Sequence, residues 1–447
     1  MKRLVVLLAL AAAPAAAQDV NIPHTTFTLP NGLRVIVAED HSTPLAAVNV
    51  WYHVGSGYEK PGRTGFAHLF EHVMFEGSQN VPEGQFDQLL EGAGGSNNGS
   101  TNTDRTNYYE VVPSNALPLA LWLEADRMGG LLGAMTQQKL DGQRDVVKNE
   151  RRQRVDNQPY GTLFEVASAA LYPQGHPYSW STIGSMEDLS AASLEDVSGF
   201  FRQYYAPNNA VLVVAGDVNP AEVRRLSEQY FSWIPRAAAV ERPQIPVPPI
   251  PATRYITRED RVTLPQVAVI WRADKRFGAD EAALDILSAI LTGGKSSRLY
   301  KRLVYEQQIA QTVNASNDAR LLAGDFWVMV RGKPDTDLDV LEAAVYEEIQ
   351  KLADAPPSAD EVRRALNGYE TGFVARLETV ENKAEQLNDY FYYTGDAGYV
   401  GRDIARYRAV TPADVQRVAR QYLAGRNHIV LSYVPQGKAA LAAEENQ

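Results

Sequence analysis

The chain has 447 residues, of which 45% are hydrophobic and 22% are charged, so we expect a globular protein of two domains rather than one core. The formal net charge of −11 argues against nucleic acid as a partner. There is no cysteine, which excludes disulfides and cysteine-ligated zinc, so a metal site in this chain must use histidine and carboxylate.

The N-terminal segment 1–17 has the pattern of a secretory signal peptide. Lys2 and Arg3 precede an apolar stretch that ends in three alanines at 15–17. Such a segment is too short to cross a membrane as a helix, and no later run reaches the length of a span. We therefore expect cleavage after Ala17 and a periplasmic or secreted protein without a membrane span.

The first part of the mature chain mixes strand and helix patterns. A hairpin that turns at Asn31-Gly32 is predicted over 27–37. Further strands are predicted over 45–54, 100–112 and 210–215, a flexible stretch over 92–99, and helices over 66–76, 117–128, 139–156, 193–205 and 219–233.

The predicted helix over 66–76 carries the sequence His68-Leu-Phe-Glu71-His72. Positions four apart share one face of a helix, so both imidazoles point the same way with the carboxylate beside them. Two such imidazoles suit Zn²⁺, and the carboxylate can polarise a metal-bound water. The alternative is a pair of core histidines, but a chain with 7 histidines rarely produces this motif by chance. The motif predicts a metal site.

A catalytic zinc with two histidines needs one more protein ligand. Glu150, on the helix predicted over 139–156, is the leading candidate. Its neighbours Arg151 and Arg152 equally suit a solvent-exposed helix face, so helix phase alone leaves both interpretations open.

A proline-rich stretch over 236–253 marks the clearest domain boundary. It has five prolines between 243 and 251, which favours an extended, semi-rigid linker. We therefore predict a zinc-binding catalytic domain over 18–235, the linker over 236–253, a homologous domain without metal over 254–436 and a disordered tail over 437–447.

The second domain repeats the pattern of the first. Similar residues recur at one constant separation: Ser193 and Thr411, Asp196 and Asp414, and Asn209 and Asn427. Two unrelated helix–strand units could look alike, but a duplicated domain explains the constant separation better. A helix is also predicted over 280–291, and like the helix over 66–76 it is followed by a glycine. Aligning Gly77 with Gly293 places Leu284, Leu287 and Ser288 opposite His68, Glu71 and His72. We therefore expect one zinc per chain, in the first domain, and a second domain that binds, covers or positions substrate.

The motif at 68–72 is followed by Glu150, 78 residues after His72. This arrangement resembles the metal-binding motif of the inverzincin metallopeptidases, which include pitrilysin, insulin-degrading enzyme and the mitochondrial processing peptidase β subunit. The similarity covers nearly the whole mature chain. It includes the polar motif over 98–109, the loop at His176-Pro177 and the stretch 297–300. The length resembles that of the short two-domain branch.

The resemblance implies an α+β fold of two homologous domains. Each is a mainly antiparallel β-sheet with helices packed on one face, and the two enclose a chamber. It also implies that His68, His72 and Glu150 hold zinc, with Glu71 as the general base. This describes a zinc metalloendopeptidase of the cell envelope that hydrolyses peptides or unfolded segments.

Substrate is expected to add as an extended strand at a sheet edge near Asn98, Thr101 and Thr103. The same segment also suits an interior strand of a half-buried sheet.

Gln143 stands where the family usually has a glutamate that supports the metal ligands, and an amide there cannot carry charge.

Val304 and Gln311 stand where substrate-binding members of the family carry an arginine and a tyrosine. A homologous partner subunit, in a heterodimer, or a second copy, in a homodimer, could supply what they lack. Two other functions compete with catalysis: a noncatalytic peptidase-like scaffold or partner subunit, which Gln143 favours mildly, and a zinc-binding module without hydrolysis. The intact motif at 68–72 argues against both.

Overall fold

The computed structural model describes residues 20–445, so the predicted signal peptide lies outside the described residues. Two β-sheets organise this part of the chain. The first has the strands β1 (Thr25–Thr28), β2 (Arg34–Glu39), β3 (Leu45–Tyr52), β4 (Ser96–Thr101), β5 (Thr106–Pro113) and β6 (Ala210–Gly216). The second has the strands β7 (Arg254–Asp260), β8 (Gln266–Ala273), β9 (Ala310–Ala319), β10 (Gly324–Gly332) and β11 (Ile429–Pro435).

The helices fall on either side of the proline-rich stretch, which separates a first half (20–235) from a second half (254–445). The first half has α1 (Phe66–Val73), α2 (Gln85–Gly92), α3 (Leu117–Ala134), α4 (Gln137–Arg151), α5 (Leu163–Leu171), α6 (Met186–Ala191), α7 (Leu194–Tyr204) and α8 (Pro220–Phe231). The second half has α9 (Glu281–Thr292), α10 (Leu338–Asp354), α11 (Ala359–Arg376), α12 (Val380–Thr394), α13 (Val400–Arg408) and α14 (Pro412–Val418).

The two sheets have the same strand order once β1 is set aside. The first runs β1-β2-β6-β3-β5-β4 and the second runs β7-β11-β8-β10-β9. The pairs β2–β6 and β7–β11 occupy the same place in the two orders, and both are parallel. The other neighbouring strands that the two sheets have in common are antiparallel. Helices α7 and α14 also begin alike, with capping boxes made by Ser193 with Asp196 and by Thr411 with Asp414. The fold therefore repeats as the sequence does.

Each sheet is covered by helices on both faces. One face of the first sheet packs against α1, α3 and α8 of its own half, and the other against α12 and α13 of the second half through Leu387 and Ile404. The second sheet packs against α9, α10 and α14 on one face. Its other face packs against α5 of the first half through Leu163 and Leu171. The two halves thus exchange helices and share two of their cores.

The predicted α+β class with two mainly antiparallel sheets is confirmed. The expectation of helices on one face is incomplete, because helices of the opposite half cover the second face. Strand β6 is buried over its whole length. A continuous apolar run of this kind is typical of a strand with both faces covered. The enclosed chamber stays a prediction.

The polar segment around residues 92–112 folds differently from its prediction. The part expected to be flexible contains the start of β4, which pairs with β5 from Ser96 onward. The single strand expected over 100–112 is a hairpin, because Asn102 Oδ1 accepts the backbone N–H groups of Asp104 and Arg105 at 2.8 and 2.9 Å. An asparagine that bonds to the backbone two residues ahead favours a turn over a continuing strand.

The tail predicted to be disordered over 437–447 packs against the second half in its described part, residues 437–445. Its residues Ala442 and Ala443 are buried in the core of the second half, and Ala443 N donates to Ser432 Oγ at 3.1 Å. Small side chains let this segment pack closely. The linker over 236–253 has no helix or strand, as expected. Among the helices of residues 20–445, none combines the length and the apolar character that a membrane span requires.

Candidate metal centre

The helix α1 presents the histidine motif on the face opposite its apolar residues. Phe66, Leu69, Phe70 and Val73 are buried in the core of the first half. Because these apolar side chains fix one face of the helix, the polar side chains of the motif are directed to the other face, the two histidines toward α4 and Glu71 toward β4. The eight-residue helix is therefore held by its apolar side and carries the polar groups on its free side.

Glu150 on α4 meets both histidines. Its Oε2 atom lies 3.2 Å from His72 Nε2 and 3.6 Å from His68 Nε2. One ligand atom from each of these residues lies within 4.8 Å of the others. The structure therefore brings together the three predicted metal ligands from two helices.

These atoms fit a zinc ion. Two ligand atoms that each lie about 2.1 Å from zinc at a tetrahedral angle are separated by about 3.4 Å. The separations of 3.2 and 3.6 Å are close to that value. In addition, Glu150 Oε2 is buried and has no hydrogen-bond partner, although it faces two imidazole nitrogens. A buried carboxylate oxygen left without a partner is costly unless a cation binds it.

The electrostatics of the cluster favour the protonation states that metal ligands need. Burial and the neighbouring His72 lower the pKa of His68 to about 4, so its imidazole is neutral at neutral pH. The contact with His72 lowers the pKa of Glu150, so its carboxyl is ionised. The second oxygen of Glu150 forms an ion pair with Arg154 Nη1 at 2.7 Å, which favours this orientation of the carboxylate.

Glu71 stands beside the cluster and bonds to strand β4. Its Oε2 atom accepts the Thr101 hydroxyl at 2.6 Å. Burial raises the pKa of Glu71, and the Thr101 hydrogen bond opposes part of that rise. The space around this carboxylate is tight, because a Cβ atom on Gly99 would lie 3.1 Å from Glu71 Cγ. The carboxylate is thus held next to the ligands by β4.

A groove of about 580 Å³ opens over this cluster. Its walls come from α1, β4 and α4, and it is lined by His68, Glu71, His72, Asn98, Gly99, Val146, Asn149, Glu150, Gln153 and Arg154. Strand β4 is the last strand of the first sheet as described, so its outer edge is unpaired within residues 20–445. A site beside an open strand edge suits an extended chain.

The three residues predicted to bind substrate have different positions. Asn98 lines the groove. Thr101 is engaged with Glu71. Thr103 lies in the turn after β4, where its carbonyl accepts Gly57 N at 2.7 Å, and it does not line the groove. Since β4 is an edge strand, the alternative of an interior strand is wrong for this segment.

Gln143 lies near the site but does not contact the ligands directly. Its Nε2 atom donates to Glu76 Oε1 at 2.5 Å, and Glu76 lies just after the end of α1. Lys139 Nζ donates to the backbone oxygen of Glu76 at 2.7 Å. Burial raises the pKa of Glu76. An amide at 143 therefore satisfies this carboxylate, where a glutamate would face it with a like charge.

Sequence reasoning missed Glu59. Its buried carboxylate accepts the backbone N–H groups of Gly65 at 3.0 Å and Ala67 at 2.8 Å, at the start of α1. Gly65 at the N-cap has no side chain that could accept these N–H groups, so the Glu59 carboxyl takes the place of a capping side chain. Glu59 thus anchors the helix that carries the motif. The sequence offered no signal beyond an acidic residue upstream of the helix.

The second half has the equivalent helix without the ligands. Helix α9 packs on β9 as α1 packs on β4, and its Leu284 and Leu287 are fully buried. Val304 is partly buried against the core of the second half, and Gln311 is exposed on β9. Neither of these two residues lines the groove over the metal cluster.

Comparisons with known proteins match both halves. Residues 34–184 match the sequence profile of insulinase (peptidase family M16), and residues 191–369 match that of the peptidase M16 inactive domain. The zinc protease PqqE of Helicobacter pylori is 31% identical over 421 residues, 93% of this chain and 94% of that protein. A probable mitochondrial-processing peptidase subunit beta of Arabidopsis thaliana is 27% identical over 89% of this chain and 75% of that protein.

A solved structure extends the match to three dimensions. The crystal structure of a protease from Helicobacter pylori is similar with a TM-score of 0.88 and 29% sequence identity. The alignment covers 93% of this chain and 100% of that one, so both halves and their relative placement are alike.

Proposed function

Because the chain belongs to the insulinase family of peptidases (peptidase family M16), we propose that it is a zinc-dependent endopeptidase of the cell envelope that hydrolyses peptides or unfolded segments. The observation that carries the proposal is the convergence of His68, His72 and Glu150 beside Glu71 in one groove. Relatives with the name zinc protease support the metal. The signal-peptide pattern over 1–17 supports the location.

The residues of the groove have separate roles. His68, His72 and Glu150 hold one zinc, which when bound would polarise the scissile carbonyl and stabilise the charge that develops on its oxygen. Glu71 accepts a proton from the attacking water and passes it to the leaving amine. Burial raises the pKa of Glu71, which makes its carboxylate a stronger base for taking the proton from water.

Thr101 orients the base for this task. Its hydroxyl occupies Oε2 of Glu71, and Oε1 has no hydrogen bond from residues 20–445. The free oxygen is the one available to a water molecule in the groove. Substrate binds beside it as an extended strand along the outer edge of β4, so folded proteins are poor substrates.

Digestion of a peptide library tests the proposed function. The purified mature chain is incubated with unstructured peptides, with and without a zinc chelator, and products are identified by mass spectrometry. We expect internal cleavage that the chelator abolishes and added zinc restores. Zinc bound without any cleavage would favour a noncatalytic scaffold, and cleavage that resists the chelator would contradict the metal mechanism.

A partner subunit is the second part of the proposal, and it rests on Val304 and Gln311. An arginine can bind a substrate carbonyl and a tyrosine can donate to the oxyanion, but valine does neither and glutamine offers a neutral amide. The relative with the name processing peptidase subunit beta is itself one subunit of an assembly. We therefore expect a homologous partner, in a heterodimer, or a second copy, in a homodimer, to complete the site.

The prediction for the partner is that the single chain cleaves peptides slowly. The complex isolated from cells should turn over the same peptides roughly tenfold faster or more, since binding groups that act on the transition state raise kcat. Both preparations are assayed at equal zinc content. Equal turnover by the single chain and the complex would show that no partner is needed.

A further inference from the structure

A buried aspartate joins the groove of the first half to the second half. Asp104 lies in the turn between β4 and β5 and is only 3% exposed. Its Oδ2 atom accepts Tyr393 Oη at 2.7 Å and Leu321 N at 2.9 Å, and its Oδ1 atom accepts Tyr178 Oη at 3.1 Å. Its backbone oxygen accepts Tyr392 Oη at 2.8 Å. Four donors thus converge on one residue.

Most of these donors belong to the second half. Tyr392 and Tyr393 lie on α12, and Leu321 lies in the turn between β9 and β10. Tyr178 follows α5 in the first half, and its hydroxyl also accepts Leu322 N at 3.0 Å. The second half therefore contacts this turn through a helix and through a strand connection.

The donors that bond to Asp104 are neutral. Burial raises the pKa of Asp104, and the hydrogen bonds from Tyr393 and Leu321 oppose part of that rise. The charge of Arg320 opposes it less, and the Arg320 guanidinium itself bonds to Asp325. No salt bridge to Asp104 forms within residues 20–445. A buried carboxylate held by hydroxyl and backbone donors is costly, and such a group is kept where its position matters.

The turn around Asp104 fixes the end of β4. Ser56 N and Gly57 N donate to the backbone oxygens of Asn102 and Thr103 at 3.1 and 2.7 Å, and Gly55 is so close that a Cβ atom there would lie 2.2 Å from Asn102 O. The turn is therefore in contact with the 55–57 segment on one side and with the second half on the other. These contacts leave the turn little room to move.

Thr101 is the last residue of β4 before this turn, and it bonds to Glu71 at 2.6 Å. Its hydroxyl lies 3.4 Å from Thr106 Oγ1, which donates to Val54 O at 2.9 Å. A hydrogen bond as short as the one between Thr101 and Glu71 depends on the placement of β4 within a few tenths of an ångström. Movement of the turn would lengthen it.

We infer that Asp104 is a positioning residue, through which the second half holds β4 so that Thr101 orients Glu71. The inference rests on the proposed peptidase function and assigns a task to the half that lacks metal ligands. The alternative is an ordinary contact between the halves that affects stability alone.

A pair of matched substitutions on α12 separates the two interpretations. Tyr393→Phe removes one donor to Asp104, and Tyr390→Phe removes the equivalent hydroxyl bond from Tyr390 to Asp403, at 2.9 Å within the second half. Both replace a tyrosine whose hydroxyl bonds to an aspartate, so both should lower the melting temperature similarly. We expect kcat to fall about fivefold in Tyr393→Phe, because misplacement of a catalytic group slows the chemical step, and to be unchanged in Tyr390→Phe.

A double-substitution cycle then tests whether Tyr393 acts on Glu71 through Thr101. Thr101→Val should lower kcat about tenfold by releasing Glu71, and Tyr393→Phe should cost almost nothing further in that background. Zinc content should be unchanged in every variant, since the ligands lie on α1 and α4. Equal kcat in the two tyrosine variants, or effects of Tyr393→Phe and Thr101→Val that simply multiply, would overturn the inference. Absence of hydrolysis by the unsubstituted chain would instead contradict the proposed function.

Discussion

Replacing Glu71 by glutamine should abolish peptide hydrolysis while zinc stays bound. Glutamine has nearly the same shape and can still accept the Thr101 hydroxyl through its carbonyl oxygen, so the local structure is kept. It cannot take a proton from water or return one to the leaving amine. Because both proton transfers fail, we expect kcat to fall by roughly 10³-fold or more.

The measurement is turnover of an unstructured peptide at known zinc content. A matched control is Glu91→Gln, the same chemical change at an exposed position on α2, which should leave kcat unaffected. Zinc content and melting temperature are compared in all three proteins. Near-normal turnover by Glu71→Gln at full zinc occupancy would contradict the role of the carboxylate as base.

The metal helix was predictable because its geometry is local. The spacing of His68, Glu71 and His72 gives their common face without any knowledge of the tertiary fold. Predicting Glu150 as a ligand required tertiary information, since its position on the helix suits both a metal ligand and a solvent-exposed residue. Only the packing of α4 against α1 brings it to the histidines. The duplication could also be predicted without the tertiary fold, because similar residues recur at a constant separation in the sequence.

The supporting residues were not predictable from pattern. Glu59 anchors α1 across a loop, and Asp104 contacts segments that lie far from it in the sequence, such as Tyr393 on α12. Neither residue belongs to a periodic stretch, and a single acidic residue in a polar loop carries no local signal for its partners. The exchange of α5 and α12 between the halves was missed for the same reason, since hydrophobic faces predict burial but do not say which sheet covers them.

Replacing His72 by alanine should remove zinc from a chain that otherwise folds. The wild-type protein should carry about one zinc per chain, because three ligands from two fixed helices meet with no large rearrangement. Alanine removes one nitrogen ligand and leaves two, which is too few to retain zinc through purification. The helix should persist, because the apolar face of α1 stays buried and alanine favours helix.

Zinc content by atomic spectroscopy and melting temperature with and without added zinc give the readout. Binding to the folded state alone stabilises it, so zinc should raise the melting temperature of the wild type and leave His72→Ala unchanged. Glu150→Gln should bind zinc weakly, since an amide oxygen is a poor substitute for an anionic ligand next to two imidazoles. The matched control is His41→Ala, which removes an exposed histidine that contacts Asp217 and should keep full zinc. Full zinc occupancy in His72→Ala would show that the metal binds elsewhere in the chain. It would then also contradict the roles proposed for the residues that line the groove.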